Sequence, residues 1–82
     1  MKKQRFLDFK IGDLVKVVTK SWDSGDELIC ELSEDPTRFT VVKPGCVGIL
    51  FKIDKQDEPF SYHVAVEGQK VVLYRSYICK LS

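Results

Sequence analysis

The sequence predicts a single all-β domain of five to seven strands, with no helix longer than about two turns. Apolar and polar residues alternate with a period of two along several short runs, and glycines separate those runs. A helical spacing of apolar residues never persists for three turns. With 82 residues, 44% hydrophobic and 30% charged, residues 1–82 can build one core but not two folded units.

The first clear strand follows a short N-terminal arm. Residues 1–10 are basic and then apolar, a pattern compatible with a helical turn or a strand. Gly12 and Asp13 are the first residues that favour a turn. The run Leu-Val-Lys-Val-Val-Thr after them is short and dense in β-branched residues, which favours a strand with Val15 and Val17 on one face.

Residues 20–43 form an insertion between this strand and the next. The insertion opens with a turn-rich stretch and contains two β-prone runs, at 28–32 and 39–42. Because a long structureless loop is unusual inside a compact domain, the two runs predict a hairpin within the insertion. The alternative is an irregular loop.

The C-terminal half predicts a series of short antiparallel strands. The clearest strand signal follows a Pro-Gly pair, where four apolar residues are expected on one face: Val47, Ile49, Phe51 and Ile53. Residues 62–66 alternate in the same way, and a turn at 67–70 returns the chain along 71–74. A tight turn at 75–77 then precedes a last short strand at 78–81.

These elements resemble the small SH3-like barrels and, among them, the KOW-type modules. The resemblance lies in Gly-Asp-Leu-Val-Lys-Val at 12–17, in Pro-Gly-Cys-Val-Gly-Ile-Leu at 44–50, and in the hairpin around Gly68 with the closing run 77–81. It implies a barrel of five core strands, with residues 20–43 as an inserted β-hairpin or loop.

The resemblance covers residues 11–19 and 44–82, and its motifs are short. In such a barrel, Gly45 and Gly48 permit the sharp bends and close backbone approach that a tightly curled sheet requires. The chain also resembles small barrel proteins encoded by bacteria and tailed phages, many of them without an assigned function.

The formal net charge of +1 conceals a segregation of charge along the chain. Residues 1–20 carry six basic and two acidic side chains, residues 21–37 carry six acidic and no basic ones, and residues 38–82 carry seven basic and four acidic ones. Nucleic-acid binding depends on concentrated positive charge, because its affinity comes largely from neutralising phosphates. The acidic block and a pI near 7.7 therefore favour a protein partner over a nucleic acid.

The residues that perform catalysis or bind metals are few and scattered. Cys30, Cys46 and Cys79 are widely spaced and contain no Cys-x-x-Cys pair, so we expect no disulfide, metal or cofactor. A cysteine nucleophile would need His63, the single histidine, as its base. We expect a non-enzymatic cytoplasmic protein with reduced thiols, no small-molecule substrate, no signal peptide and no membrane span.

An excess of apolar surface makes protein–protein interaction or accessory assembly the expected function. Both faces of residues 49–51 and 71–74 are apolar, so the insertion, the N-terminal arm, a partner or a second copy must cover the second face. A peptide-binding groove would present several aromatic residues together. The candidates are Trp22, Phe60, Tyr62, Tyr74 and Tyr77.

The alternative function, which the KOW-type resemblance implies, is RNA or ribosome binding. Such contacts would use basic side chains in loops, and the candidates here are Lys70, Arg75 and the turn at 52–55. Steep loss of affinity with rising salt would distinguish this alternative from protein binding.

Overall fold

A computed structural model describes residues 9–18, 27–56 and 59–81, which form seven β-strands and one 3₁₀ turn. The strands are β1 (Leu14–Val17), β2 (Leu28–Leu32), β3 (Asp35–Val42), β4 (Val47–Asp54), β5 (Ser61–Val66), β6 (Gln69–Tyr74) and β7 (Ile78–Lys80). The 3₁₀ turn, Arg75–Tyr77, joins β6 to β7. The all-β class is confirmed, as are the hairpin inside the insertion and the tight turn before the last strand.

The seven strands form one antiparallel sheet in the order β3-β2-β6-β5-β4-β1-β7. No ladder joins the outermost strands β3 and β7, so the sheet of the described residues is open. The closed barrel of five core strands is therefore not observed. The physical reason is that the β2–β3 hairpin pairs with β6 and extends the sheet, so that β6 is no longer an edge.

Side chains from all seven strands meet in one core. Its buried members are Val15, Val17, Cys30, Val42, Leu50, Tyr62, Val64, Val66, Val71, Leu73 and Ile78. Because one face of a single sheet supplies all of them, the sheet must coil around this cluster. We call that face the inner face and the opposite one the outer face. The expectation that Val15 and Val17 share a face is confirmed.

A bulge in β4 corrects the expectation that its four alternating apolar residues share one face. The ladder with β5 shifts register between Leu50 and Lys52. Before the shift, Val47 and Ile49 are exposed on the outer face. After it, Ile53 lies opposite Tyr62 and packs against the core. An extra residue in one strand of a pair turns the following side chains to the other face, and the sequence pattern carries no sign of it.

The β5–β6 hairpin has the tight two-residue turn that its sequence predicts. Val66 pairs with Gln69, and the residues between them have positive φ, 53° at Glu67 and 77° at Gly68. Two successive positive φ values define the turn type whose twist matches that of the flanking strands.

No helix among the described residues is long and apolar enough to cross a membrane.

Candidate functional site

A groove lies between β2 and β6, where the two strands separate. Their ladder consists of two pairs, Glu31 with Val72 and Leu32 with Val71. Residues 28–30, at the N-terminal end of β2, remain paired with β3 but have no ladder partner in β6. The gap between β2 and β6 widens there into a cavity of about 520 Å³.

The walls of this β2–β6 groove are mainly apolar and aromatic. The described residues that line it are Glu27, Leu28, Ile29, Cys30, Glu31, Phe39, Ser61, Val72, Leu73, Tyr74 and Tyr77. The exposed fraction is 76% for Ile29, 61% for Phe39 and 51% for Tyr74. Large apolar side chains that remain exposed next to one another are typical of an interaction site.

The charged side chains that line the groove are acidic. Glu27 and Glu31 are both exposed, and the described lining includes no lysine or arginine. The register places Glu31 on the outer face between Phe39 of β3 and Val72 of β6. The groove therefore favours a ligand that combines apolar surface with positive charge.

Two of the five aromatic candidates from the sequence line the groove. Tyr74 ends β6, and Tyr77 ends the 3₁₀ turn that follows. Both also line a second depression, of about 820 Å³, that runs along the 3₁₀ turn and β7. The two tyrosines thus form a wall shared by two concave surfaces.

The other three aromatic candidates lie elsewhere. Tyr62 is buried in the core, where its ring meets the Phe9 ring edge-on with the centroids 5.4 Å apart. Phe60 is half-buried against the same core. Trp22 lies outside the described residues. Tyr62 and Phe60 line a separate shallow depression with Pro59 and Arg75, outside the β2–β6 groove.

The basic candidates are far apart. Lys70 lies near the start of β6, with its Nζ 3.6 Å from Glu34 Oε2 and 5.7 Å from the centroid of the Phe51 ring. Arg75 lies in the 3₁₀ turn beyond the other end of β6. At about 3.3 Å per residue, the two positions are roughly 16 Å apart. Lys70 and Arg75 therefore do not belong to one compact basic site.

Sequence reasoning missed Ile29 and Phe39, the two most exposed apolar residues of the groove. Ile29 occupies a polar position of β2, between Glu27 and Glu31, while Leu28 and Cys30 face the core. An isoleucine in the polar phase of an amphipathic strand is a signal that the sequence does contain. The sequence contains a weaker signal for Phe39, because β3 is apolar in both phases of the alternation near its C-terminal end.

His63 connects the β2–β3 turn to the centre of the sheet. It is buried on the outer face, with its Nδ1 2.7 Å from Ser33 Oγ and its ring edge-on to Phe51 at 6.0 Å. The Ser33 backbone N–H also donates a hydrogen bond of 2.8 Å to the Lys70 carbonyl. We assign these contacts to holding the hairpin turn against β5 and β6. Cys30 faces the core, so the sheet separates its thiol from His63.

The environment of His63 predicts a loss of stability on acidification. Burial lowers the pKa of His63 below its usual 6.5, the Lys52 charge lowers it further, and Asp54 acts in the opposite direction. On acidification the unfolded chain therefore binds a proton at His63 before the folded chain does. The contribution of His63 to the free energy of unfolding should be constant above about pH 7 and fall as the pH is lowered through about 6 toward the folded pKa.

Urea unfolding of the protein and of His63→Gln at about pH 7, 6 and 5 tests this prediction. The variant should lose the pH dependence in this interval, although it is less stable than the parent at neutral pH. Asp13 does not interfere, because the Lys10 backbone N–H and the nearby Lys80 lower its pKa below 3.8. An identical pH slope in both proteins would contradict the assignment to His63.

The thiols of Cys30 and Cys46 are poorly suited to nucleophilic chemistry. Burial raises the pKa of Cys30. A hydrogen bond with Glu67 is the main cause that raises the pKa of Cys46. Because the thiolate is the reactive form, both shifts reduce reactivity at neutral pH. All three cysteines, including the exposed Cys79, are unpaired.

The described residues contain no candidate metal site, and the sequence and fold have no significant match among known proteins. Within residues 9–18, 27–56 and 59–81, no group of three or more His, Cys, Asp or Glu side chains is placed to hold a metal ion. Comparisons with protein-family models, with curated proteins and with solved structures give no significant match. A functional assignment therefore depends on the β2–β6 groove.

Proposed function

We propose that this protein is a non-catalytic interaction module that binds an extended segment of a partner protein in the β2–β6 groove. The observation that carries the proposal is the grouping of Ile29, Phe39 and Tyr74, all more than half exposed, around one cavity. Water contact with so much apolar surface is unfavourable, at about 25 cal/mol per Å². A ligand that covers these side chains gains that free energy.

The backbone around the groove favours an extended peptide as the ligand. β2 at 28–30 and β6 at 73–74 make no ladder with each other, so their main chains border the gap without joining. An extended peptide can hydrogen-bond to such strand edges while its side chains occupy apolar pockets. Glu27 and Glu31 favour a lysine or arginine in that peptide.

The strand order supports a relation to SH3-like barrels as part of this proposal. β7, β1, β4, β5 and β6 are consecutive neighbours in the sheet, as expected for the five core strands of such a barrel. We infer that the β2–β3 hairpin is an addition to this core and that it supplies one wall of the groove. The unpaired thiols are compatible with a reducing cytoplasm as the place of action.

Selection from a displayed library of random peptides tests the proposal, followed by titration of the selected synthetic peptides. The selected sequences should combine apolar residues with lysine or arginine. Tyr74→Ala and Phe39→Ala should each weaken binding by about tenfold or more, because truncation of a central aromatic hot-spot residue typically costs about 2 kcal/mol or more. Val47→Ala, at an exposed apolar residue of β4 outside the groove, should leave the affinity unchanged.

Two results would contradict this function. One is a library that yields no binder, and the other is peptide binding that Tyr74→Ala and Phe39→Ala leave intact. The same variants can be titrated with single-stranded RNA at low and high salt. RNA binding that falls steeply with salt and is lost in Lys70→Ala would establish nucleic-acid binding instead.

A further inference from the structure

The outer edge of β3 carries backbone groups that have no ladder partner among residues 9–18, 27–56 and 59–81. β3 is the terminal strand of the sheet and pairs with β2 on one side only. Among the described residues, no backbone hydrogen bond reaches its other side. An edge of this kind is a template for another strand, because its N–H and C=O groups are already aligned.

Only the second half of β3 is suited to pairing. Pro36 lacks an N–H, and the Asp35 carboxylate accepts hydrogen bonds from the Thr37 N–H and hydroxyl at 3.1 and 2.6 Å. The ladder with β2 is also irregular here, since it passes from Glu31–Phe39 directly to Leu32–Asp35. Proline and irregular backbone protect strand edges from association. Residues 38–42 lack both protections.

The side chains of this unprotected segment are complementary to a copy of themselves. Phe39 and Val41 lie on the outer face and are both well exposed. Thr40 lies on the inner face, where its hydroxyl donates a hydrogen bond of 2.6 Å to Gln69 Oε1. Arg38 is the one charged residue between 38 and 42. Aromatic side chains opposite β-branched ones, and threonine opposite threonine, are favourable cross-strand pairs.

We propose that two copies of this protein associate through β3, paired antiparallel about a two-fold axis at Thr40. Thr40 then lies opposite Thr40 of the second copy, and Phe39 of each copy lies opposite Val41 of the other. Arg38 lies opposite Val42, so the register brings no like charges together. Pairing centred on Phe39 would instead bring Pro36 into the ladder. The interface is self-complementary, as a two-fold dimer requires.

Sedimentation equilibrium from micromolar to millimolar concentration tests the association. The protein should show a monomer–dimer equilibrium. Val41→Lys should weaken it by about tenfold or more, because the symmetric interface contains the substitution twice. Val47→Lys, at a similarly exposed valine on β4, is the matched control and should dimerise like the parent. Thermal unfolding of both variants verifies that they are folded.

Disulfide cross-linking tests the register, with Cys46→Ser and Cys79→Ser as the background. Phe39→Cys protein mixed with Val41→Cys protein should form a cross-linked heterodimer much faster than either protein alone forms a homodimer. Directly opposed residues lie within disulfide range, whereas diagonal ones lie about 7–8 Å apart. Equal rates in all three samples would overturn the register. A monomer at every concentration would overturn the dimer while leaving the peptide-binding proposal intact.

Discussion

Replacement of Gly48 by alanine should lower the free energy of unfolding by about 3 kcal/mol, a large part of the stability of a domain this small. A Cβ at residue 48 would lie 2.5 Å from the Ala65 carbonyl oxygen and 2.8 Å from Val64 Cγ1. Both atoms belong to β5, which pairs with β4 along most of its length. Relief of the clash would require the two strands to move apart in the middle of the sheet.

Urea unfolding followed by circular dichroism measures this effect, and two controls isolate its cause. Gly12→Ala introduces a Cβ into open space but at a φ of 98°, so it should cost only about 1 kcal/mol through backbone strain. Val47→Ala changes an exposed neighbour and should cost less than that. If Gly48→Ala costs no more than Gly12→Ala, close strand approach is not the reason for glycine at this position.

Truncation of Leu50 to alanine should destabilise the protein by a similar amount, about 3 kcal/mol, because it leaves a cavity in the core. Leu50 is fully buried, whereas the adjacent Ile49 is 49% exposed on the outer face. Ile49→Ala should therefore cost less than about 1 kcal/mol, although it removes a side chain of the same size.

The same unfolding measurement on Leu50→Ala and Ile49→Ala compares the two faces of β4 directly. A loss of unfolding free energy clearly above about 1 kcal/mol for Ile49→Ala would mean that the outer face is buried in solution. If a second copy or another part of the chain covers Ile49, its cost should rise toward that of Leu50. If Leu50→Ala and Ile49→Ala lose similar amounts of stability at low protein concentration, the conclusion that only the inner face forms the core is wrong.

β4 shows why the sequence could not assign these faces. Residues 49–51 of β4 are apolar in both phases of the alternation, so the pattern predicts a strand with Val47, Ile49, Phe51 and Ile53 on one face without saying whether that face is the buried one. The assignment comes from the neighbours, since β5 presents Val64 opposite Leu50 and Ala65 opposite Ile49. The shift after Leu50 then reverses the orientation of the remaining residues, which depends on how two strands pair rather than on either strand alone.

The groove was predictable only in part. The sequence identified Tyr74 and Tyr77 as aromatic candidates at the end of the last hairpin, and both line the cavity. It also named Tyr62 as a candidate, although Tyr62 alternates in phase with Val64 and Val66 and is buried with them in the core. It also contained no information that β2 would pair with β6, because residues far apart in sequence meet there through long-range backbone hydrogen bonds.

The sequence by itself determined the local features of this protein. Alternation and β-branching defined the strands, and glycine defined the turn at Gly68. The spacing of the turns defined the succession of short antiparallel strands along the chain. The tertiary structure decided that the hairpin of the insertion extends the sheet at β6, that the sheet stays open, and that a groove forms where β2 departs. The physical reason is that local patterns fix the conformation of a segment, whereas pairing partners, register and bulges depend on which distant strands compete for the same edge.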